Sequence, residues 1–197
     1  MAERVGKAEQ GEATRAQLVA TARALFAEDG YRSTGTEEIV QRAGVTRGAL
    51  YHHFKDKKDL FRAVHLQVEA EVTASIGESM AAAKDPYGML RIGVLAFLDA
   101  STDPEIARIA LVDAPSVLGW QEWREIDLQY GLGLLVAGLQ GGMDTGTLRV
   151  QPVVPLAHLM LGAMSEAGMV IANAEDPVAA RAEVEGPLLG LLEGLRA

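Results

Sequence analysis

The sequence predicts an all-α protein of about nine helices, with a three-helix head near the amino terminus and a larger helical body after it. Three observations predict this fold class. Apolar residues recur at spacings of three and four along most of the 197-residue chain. Asp85-Pro86 and Asp103-Pro104 each place a capping side chain before a proline, which is a typical helix start. The stretch 36–54 has the pattern of two short helices joined by a tight turn.

The first thirty residues divide into a tail and a helix. Residues 1–11 are polar with charges of both signs, which predicts a flexible tail. An apolar stripe then predicts a helix from about Glu12 to Glu28, ended by Gly30.

The stretch 36–54 carries the most informative pattern in the chain. Thr36 is expected to cap the start of its first helix, where free amides favour a phosphate group. Gly44 is expected to end that helix, since glycine adopts the left-handed conformation without penalty. Thr46 is a suitable N-cap for a second helix, Arg47 to His53. That second helix offers an arginine, hydroxyl groups and imidazoles but no acid, which suits phosphates and base edges.

These residues carry a resemblance to a known family. The run GVTRGALYHHFKDKKDL at 44–60, with ALFAEDGYRST at 24–34, resembles the DNA-binding signature of TetR-type transcriptional repressors. The close match covers about residues 12–62. The resemblance implies a DNA-binding domain over 12–58, with its helix-turn-helix motif at about 35–54, and an effector-binding and dimerisation domain over 59–197. It also implies a homodimer on a palindromic double-stranded DNA operator.

The resemblance assigns roles to individual residues. Arg47 and Gly48 are expected to enter the major groove, and arginine is the natural reader of guanine. Tyr51 is expected on a phosphate, although packing on the first helix is an alternative. In the tail, Arg4 and Lys7 are candidates for the minor groove, although plain disorder is an alternative. The complete set of expected DNA contacts is Thr36, Thr46, Arg47, Gly48, Tyr51, His52 and Lys57.

The charge distribution is uneven. The net charge of −9 argues at first against a nucleic-acid partner. Residues 1–62, however, hold 11 Lys and Arg against 9 Asp and Glu, whereas residues 63–197 hold 7 against 18. Arg47, Lys55, Lys57 and Lys58 cluster in and just beyond the second helix of the motif. The asymmetry fits a DNA-reading head on an acidic body.

The body is predicted to be entirely helical. Glycines 131, 133 and 138 lie within one expected helix and indicate either close packing or a cavity wall. Pro115 is expected to break the chain and Pro187 to kink or split the last helix. One helix is expected from Pro86 through at least Leu98. The other expected ranges are about 57–83, 104–112, 120–140, 153–173 and 176–195, with a loop at 141–146.

The last two helices are predicted to form a dimer interface. The helix at 153–173 is too apolar for one buried face and needs a second partner. Its Pro155, His158 and Glu166 favour a buried helix over a membrane span. The expected interface residues are Met160, Ala163, Met164, Ala167, Ile171, Leu188 and Leu192. The polar amino-terminal segment has no secretory signal pattern, so a cytoplasmic location is expected.

The family resemblance also implies a small-molecule effector in the body. The candidate wall residues are Met89, Phe97, Trp120, Trp123, Tyr130 and His158, with Met164 beside them. Membership of the ordinary core is an alternative for these side chains. Their low polarity predicts a largely apolar or aromatic effector.

Two other classes of function compete with DNA binding. An enzyme is disfavoured, because the chain has no cysteine and its four histidines lack metal-ligand spacing. No cofactor or metal is expected, and Gly131-Leu-Gly133 lacks the third glycine and the strand of a dinucleotide fingerprint. A helical ligand-binding or scaffold dimer without DNA binding remains an alternative, but it does not account for the polar surface of the helix at 47–53.

Overall fold

The computed structural model describes the backbone of residues 2–197 and the side chains of residues 9–197. Over this range the chain is all-α, as predicted, with nine helices. A single isolated bridge pairs Leu148 with Arg196. In chain order the helices are α1 (Ala2–Ser33), α2 (Thr36–Arg42), α3 (Arg47–His53), α4 (Lys57–Met80), α5 (Pro86–Ala100), α6 (104–118), α7 (Trp120–Asp144), α8 (Val153–Ala172) and α9 (Pro177–Glu193).

Most of the predicted helix starts are confirmed by their capping hydrogen bonds. Side-chain oxygens accept a bond from a backbone amide of the first turn at five of them: Thr46, Asp56, Asp85, Asp103 and Asp176. The prediction for Thr36 is wrong in detail. Gly35 is the N-cap of α2 and Thr36 is the first helical residue, so that helix starts without a side-chain cap.

Helix α1 is longer than predicted. It runs from Ala2 to Ser33, so most of the segment expected as a tail continues the helix. Gly30 interrupts it with φ of 79°, as expected of a residue that ends a helix. The side chains of Arg4 and Lys7 lie outside the described residues.

Two predicted breaks in the body are wrong because tertiary packing overrides the local signal. Helix α7 continues to Asp144, through the expected loop at 141–146. A Cβ on Gly142 would lie 2.6 Å from Leu148 Cδ1, so this helical glycine permits a close approach. Helix α6 passes through Pro115, which lies two residues after a π-helical turn, Ala107–Asp113. The wider turn reduces the clash that a proline ring makes in a regular helix.

The core consists of two apolar clusters. One joins the head to the body through α1–α4, α6 and the start of α7, and includes the fully buried Phe26, Phe61 and Ile109. The other joins α5, α7, α8 and α9 around Leu98, Leu139 and Ile171. Helix α4 belongs to the first cluster and also packs on α5 and α7, so it connects the head to the second half of the body.

Helix α8 is long and apolar enough to cross a bilayer by length and composition alone. Half of its apolar stretch is buried inside the protein, where it packs on α6, α7 and α9. The expectation of a core helix is therefore confirmed for this segment.

Candidate nucleic-acid interface and internal cavity

Helix α3 packs on the core through its apolar side, and its polar side is exposed. Leu50 is fully buried and Phe54 is 2% exposed. Gly44 has φ of 64°, and the adjacent amide of Val45 donates to the carbonyl of Val40. This turn fixes the angle between α2 and α3, as the glycine predicted. The predicted DNA contacts of α3, namely Thr46, Arg47, Gly48, Tyr51 and His52, are all exposed.

Arg47 has an intramolecular partner that the sequence analysis missed. Its Nη1 lies 2.8 Å from Oε1 of Glu37 on α2, and its guanidinium lies 5.6 Å from the ring centre of Tyr51. The side chains of Arg47 and Glu37 are 64% and 70% exposed. Ion pairs this exposed contribute little to stability, so the guanidinium is available to another acceptor.

Lys57 has a different environment from the one expected of a phosphate contact. Its Nζ donates to the carbonyl oxygens of Tyr31 at 2.8 Å and Thr34 at 2.9 Å, and lies 4.0 Å from the ring centre of Tyr31. Partial burial lowers the pKa of Lys57. The ammonium group therefore ties α4 to the end of α1 with two of its three N–H donors, and a phosphate contact by Lys57 stays a prediction.

The neighbouring lysines also differ from each other. Lys58 donates to the carbonyl of Leu118 at 3.1 Å and lies 3.4 Å from Glu122. The ammonium of Lys55 is exposed and makes no hydrogen bond or ion pair with residues 9–197. Lys55 is thus better placed than Lys57 to meet a phosphate.

An internal cavity of about 70 Å³ lies in the body between α4, α5, α7 and α8. Phe97 and Met164 line it, as expected of effector-site residues. Trp123 lines a smaller pocket that adjoins it beneath α6, and its indole N–H donates to the carbonyl of Ala110 at 3.0 Å.

Four of the predicted effector residues lie elsewhere. Trp120 is 63% exposed and His158 is also at the surface. Met89 and Tyr130 are half-buried but do not line the cavity. Helical spacing alone does not show which apolar side chains border an empty space, so the sequence did not separate these four residues from Phe97 and Met164.

Two carboxylates line both the cavity and the adjoining pocket, and the sequence analysis missed both. Asp127 pairs with Arg124 and accepts a hydrogen bond from Ser165 at 3.0 Å. Glu69 lies 3.8 Å from Nε2 of His65, one turn earlier on α4. The one available signal was the occurrence of His65 and Glu69 at spacing four among the buried valines of α4.

Burial strongly perturbs the pKa values on this side of α4. Desolvation, and then the charge of Asp127, raise the pKa of Glu69 to about 7. Desolvation, and then the charge of Arg62, lower the pKa of His65 to about 4. His65 is fully buried and both of its ring nitrogens lack a hydrogen-bond partner among the described residues. The neutral histidine is therefore the favoured form at neutral pH.

The predicted dimer-interface residues lie inside the protomer instead. Of the seven, Ala163 is half-buried and the others are buried among α7, α8 and α9. The large apolar side chains that α8 and α9 leave exposed are different residues. They are Val154, Leu159, Val170, Val178 and Leu191, with Leu159 73% and Leu191 55% exposed. The sequence indicated two apolar sides on α8, and the structure has both. The residues predicted for the dimer interface, however, lie on the side that is buried within the protomer.

Two family models match this chain. The one described as bacterial regulatory proteins, tetR family, matches residues 18–64, and the one described as the tetracyclin repressor-like C-terminal domain matches residues 88–195. The Transposon Tn10 TetC protein of Escherichia coli is 30% identical over 158 residues, 78% of each chain. A crystal structure of a TetR-family transcriptional regulator from Pectobacterium atrosepticum is 35% identical, with a TM-score of 0.88 over 96% of this chain and 97% of that one. RolR, solved in complex with resorcinol, shares the fold at 20% identity and a TM-score of 0.74, over 93% of this chain and 89% of that one.

Proposed function

This chain belongs to the TetR family of bacterial regulatory proteins, and from that premise we propose that it is a cytoplasmic repressor. It binds a near-palindromic operator as a homodimer and leaves it when a small, largely apolar effector enters the cavity. The observation that carries this proposal is the difference between the two sides of α3. Its exposed side is polar and free of acids, and Leu50 and Phe54 anchor its other side in the core.

On the DNA, Arg47 is the main reader of a base edge and Gly48 allows the backbone to approach. A Cβ on Gly48 would meet only Thr46 Oγ1, at 3.8 Å, so the surface there is open. Base contacts then require Arg47 to exchange Glu37 for an acceptor such as guanine. Lys55 supplies a sequence-independent phosphate contact at the start of α4.

The dimer forms through the exposed apolar side chains of α8 and α9. Leu159, Val170 and Leu191 present an apolar surface of a kind that marks protein contacts. A two-fold axis there places two copies of α3 on one side, with half-sites roughly 34–36 Å apart. The operator is then a near-palindrome.

The effector signal reaches the head through α4 and α6. Arg23 of α1 contacts Glu71 on α4 and Glu105 on α6, each at 2.6 Å. The amide of Tyr31 donates to Asp113 at the end of the π-helical turn, at 2.8 Å. Helix α4 borders both the cavity and the adjoining pocket, and α6 borders the pocket. A ligand that binds one arrangement of α4 and α6 more tightly therefore shifts the position of the head.

Fluorescence anisotropy with labelled duplexes from DNA flanking the coding region tests the DNA-binding part. Arg47→Ala is expected to weaken operator binding by about 1–3 kcal/mol and to relax sequence preference. Arg91→Ala, an exposed arginine on α5, is the matched control and leaves binding unchanged. Unchanged operator binding by Arg47→Ala refutes the base-reading assignment.

Sedimentation velocity tests the dimer. Leu159→Glu is expected to shift the protein to monomer, because a carboxylate would be buried at the interface. The control is Val150→Glu, since Val150 is 84% exposed and lies outside α8 and α9. Dimers of unaltered stability in Leu159→Glu place the interface elsewhere.

A further inference from the structure

The cavity wall is apolar except at one side. Most of its lining consists of aliphatic side chains and Phe97, and its polar members among the described residues are Glu69, Thr73 and Asp127. Neither a lysine nor an arginine of the described part of the chain lines it. The cavity thus combines an apolar volume with acidic groups, and an anionic ligand would find no opposite charge there.

The two carboxylates are not equivalent. Asp127 already forms an ion pair with Arg124 and accepts a hydrogen bond from Ser165. Glu69 accepts no hydrogen bond from residues 9–197, and its carboxylate lies 3.8 Å from Nε2 of His65. The side chain of Glu69 is 19% exposed although it lies in the body wall, so its accessible part faces the cavity.

His65, one turn before Glu69 on α4, also lacks hydrogen-bond partners within residues 9–197. It is completely buried, and neither ring nitrogen has a partner among the described residues. Buried polar groups are normally hydrogen-bonded, and leaving them unpaired destabilises a fold. The unpaired carboxylate and the imidazole behind it are therefore arranged for a partner that enters from the cavity.

We propose that this cavity binds a hydrophobic organic cation whose ammonium or amidinium group lies against Glu69, while its aromatic or aliphatic part packs on Phe97, Leu161 and Met164. The inference rests on the proposed function, since it names the chemical class of the effector for the same cavity. A cation supplies both the charge and the N–H donors that Glu69 lacks. A cavity of about 70 Å³ is smaller than such a ligand, so the lining side chains must move apart when the apolar body enters.

The acid–base state of the site supports this assignment. The raised pKa of Glu69, about 7, means that the carboxyl is partly protonated at neutral pH in the empty cavity. A bound cation favours the ionised form, so binding releases protons in this pH range. The titratable and charged groups facing Glu69 are His65 from α4 and Asp127 with Arg124 from α7. Within the described residues, α5, α6 and α8 present apolar or hydroxyl side chains to it.

Titration calorimetry of the full chain without DNA tests the inference with three probes of similar shape: benzylamine, benzyl alcohol and benzoate. We expect benzylamine to bind at least about tenfold more tightly than benzyl alcohol, and benzoate most weakly. Glu69→Gln is nearly isosteric and is expected to remove the preference for benzylamine. Glu78→Gln, on the exposed side of α4, is expected to keep it. Thermal unfolding of both variants verifies that they are folded.

The outcomes separate this inference from the proposed function. Equal or tighter binding of benzyl alcohol, or an unchanged preference in Glu69→Gln, overturns the cation assignment but leaves an effector cavity. Binding of none of the three probes at millimolar concentration also overturns it, whereas operator binding is measured independently. A second readout is the number of protons released, obtained from calorimetry in buffers of different ionisation enthalpy. The absence of proton release near neutral pH on benzylamine binding contradicts a role for Glu69.

Discussion

The buried pair His65 and Glu69 predicts a specific pH dependence of stability. Glu69 has a pKa near 7 in the folded protein against 4.5 as the reference, so the folded state holds a proton that the unfolded state has lost. Its contribution to stability is therefore lost as pH rises from about 4.5 to about 7. His65 has a folded pKa near 4 against 6.5, so its contribution is lost as pH falls from about 6.5 to about 4.

The two contributions are similar in size and opposite in sign. Since one pKa unit corresponds to about 1.4 kcal/mol, each shift amounts to about 3 kcal/mol over its range. In the wild-type protein they largely cancel between about pH 4.5 and 6.5. A variant that lacks one of the two groups therefore shows the pH dependence of stability that the other group causes.

Glu69→Gln is the perturbation that tests this reasoning. Relative to wild type, its free energy of unfolding is expected to rise by about 3 kcal/mol from about pH 4.5 to about pH 7. His65→Leu is expected to show the opposite slope, losing a similar amount relative to wild type between about pH 4 and 6.5. Urea unfolding followed by circular dichroism at a series of pH values measures both differences. If the difference in free energy of unfolding between Glu69→Gln and wild type does not change with pH, the raised pKa of Glu69 is refuted.

Two further predictions concern packing and charge. Gly138→Ala is expected to destabilise the protein by about 1–3 kcal/mol, because the added Cβ would lie 2.6 Å from the buried Leu90 of α5. Gly133→Ala is expected to stabilise it by about 0.5–1 kcal/mol, because a Cβ there has no neighbour within 4 Å in the described part of the chain and alanine favours the helix. Thermal unfolding compares the two, and equal effects contradict the packing argument. Lys57→Met is expected to lower stability by about 1–3 kcal/mol, since two carbonyls lose a charged donor. Lys55→Met is expected to leave stability unchanged and to reduce the salt dependence of DNA binding by about one unit, which anisotropy at several salt concentrations measures. A loss of stability in Lys55→Met, or none in Lys57→Met, contradicts these assignments.

The sequence by itself determined the features that depend on near neighbours. Gly44 and Thr46 specify the turn and the start of α3, because a positive φ and a cap require only the adjacent backbone. The caps Asp85 and Asp103 act in the same way. The alternation of apolar and polar residues around Leu50 then predicts which side of α3 is buried and which is left for DNA.

Only the tertiary structure decided which distant groups meet. The carbonyls that occupy Lys57 are 23 and 26 residues away, and no local pattern encodes that contact. Helix α8 has two apolar sides in sequence, and only the positions of α7 and α9 show that Met160 lies inside and Leu159 outside. That Glu69 lines a cavity and lacks a hydrogen-bond donor among residues 9–197 is also visible only in the tertiary structure. Such features depend on long-range packing, which settles burial and charge environment after the helices have been specified locally.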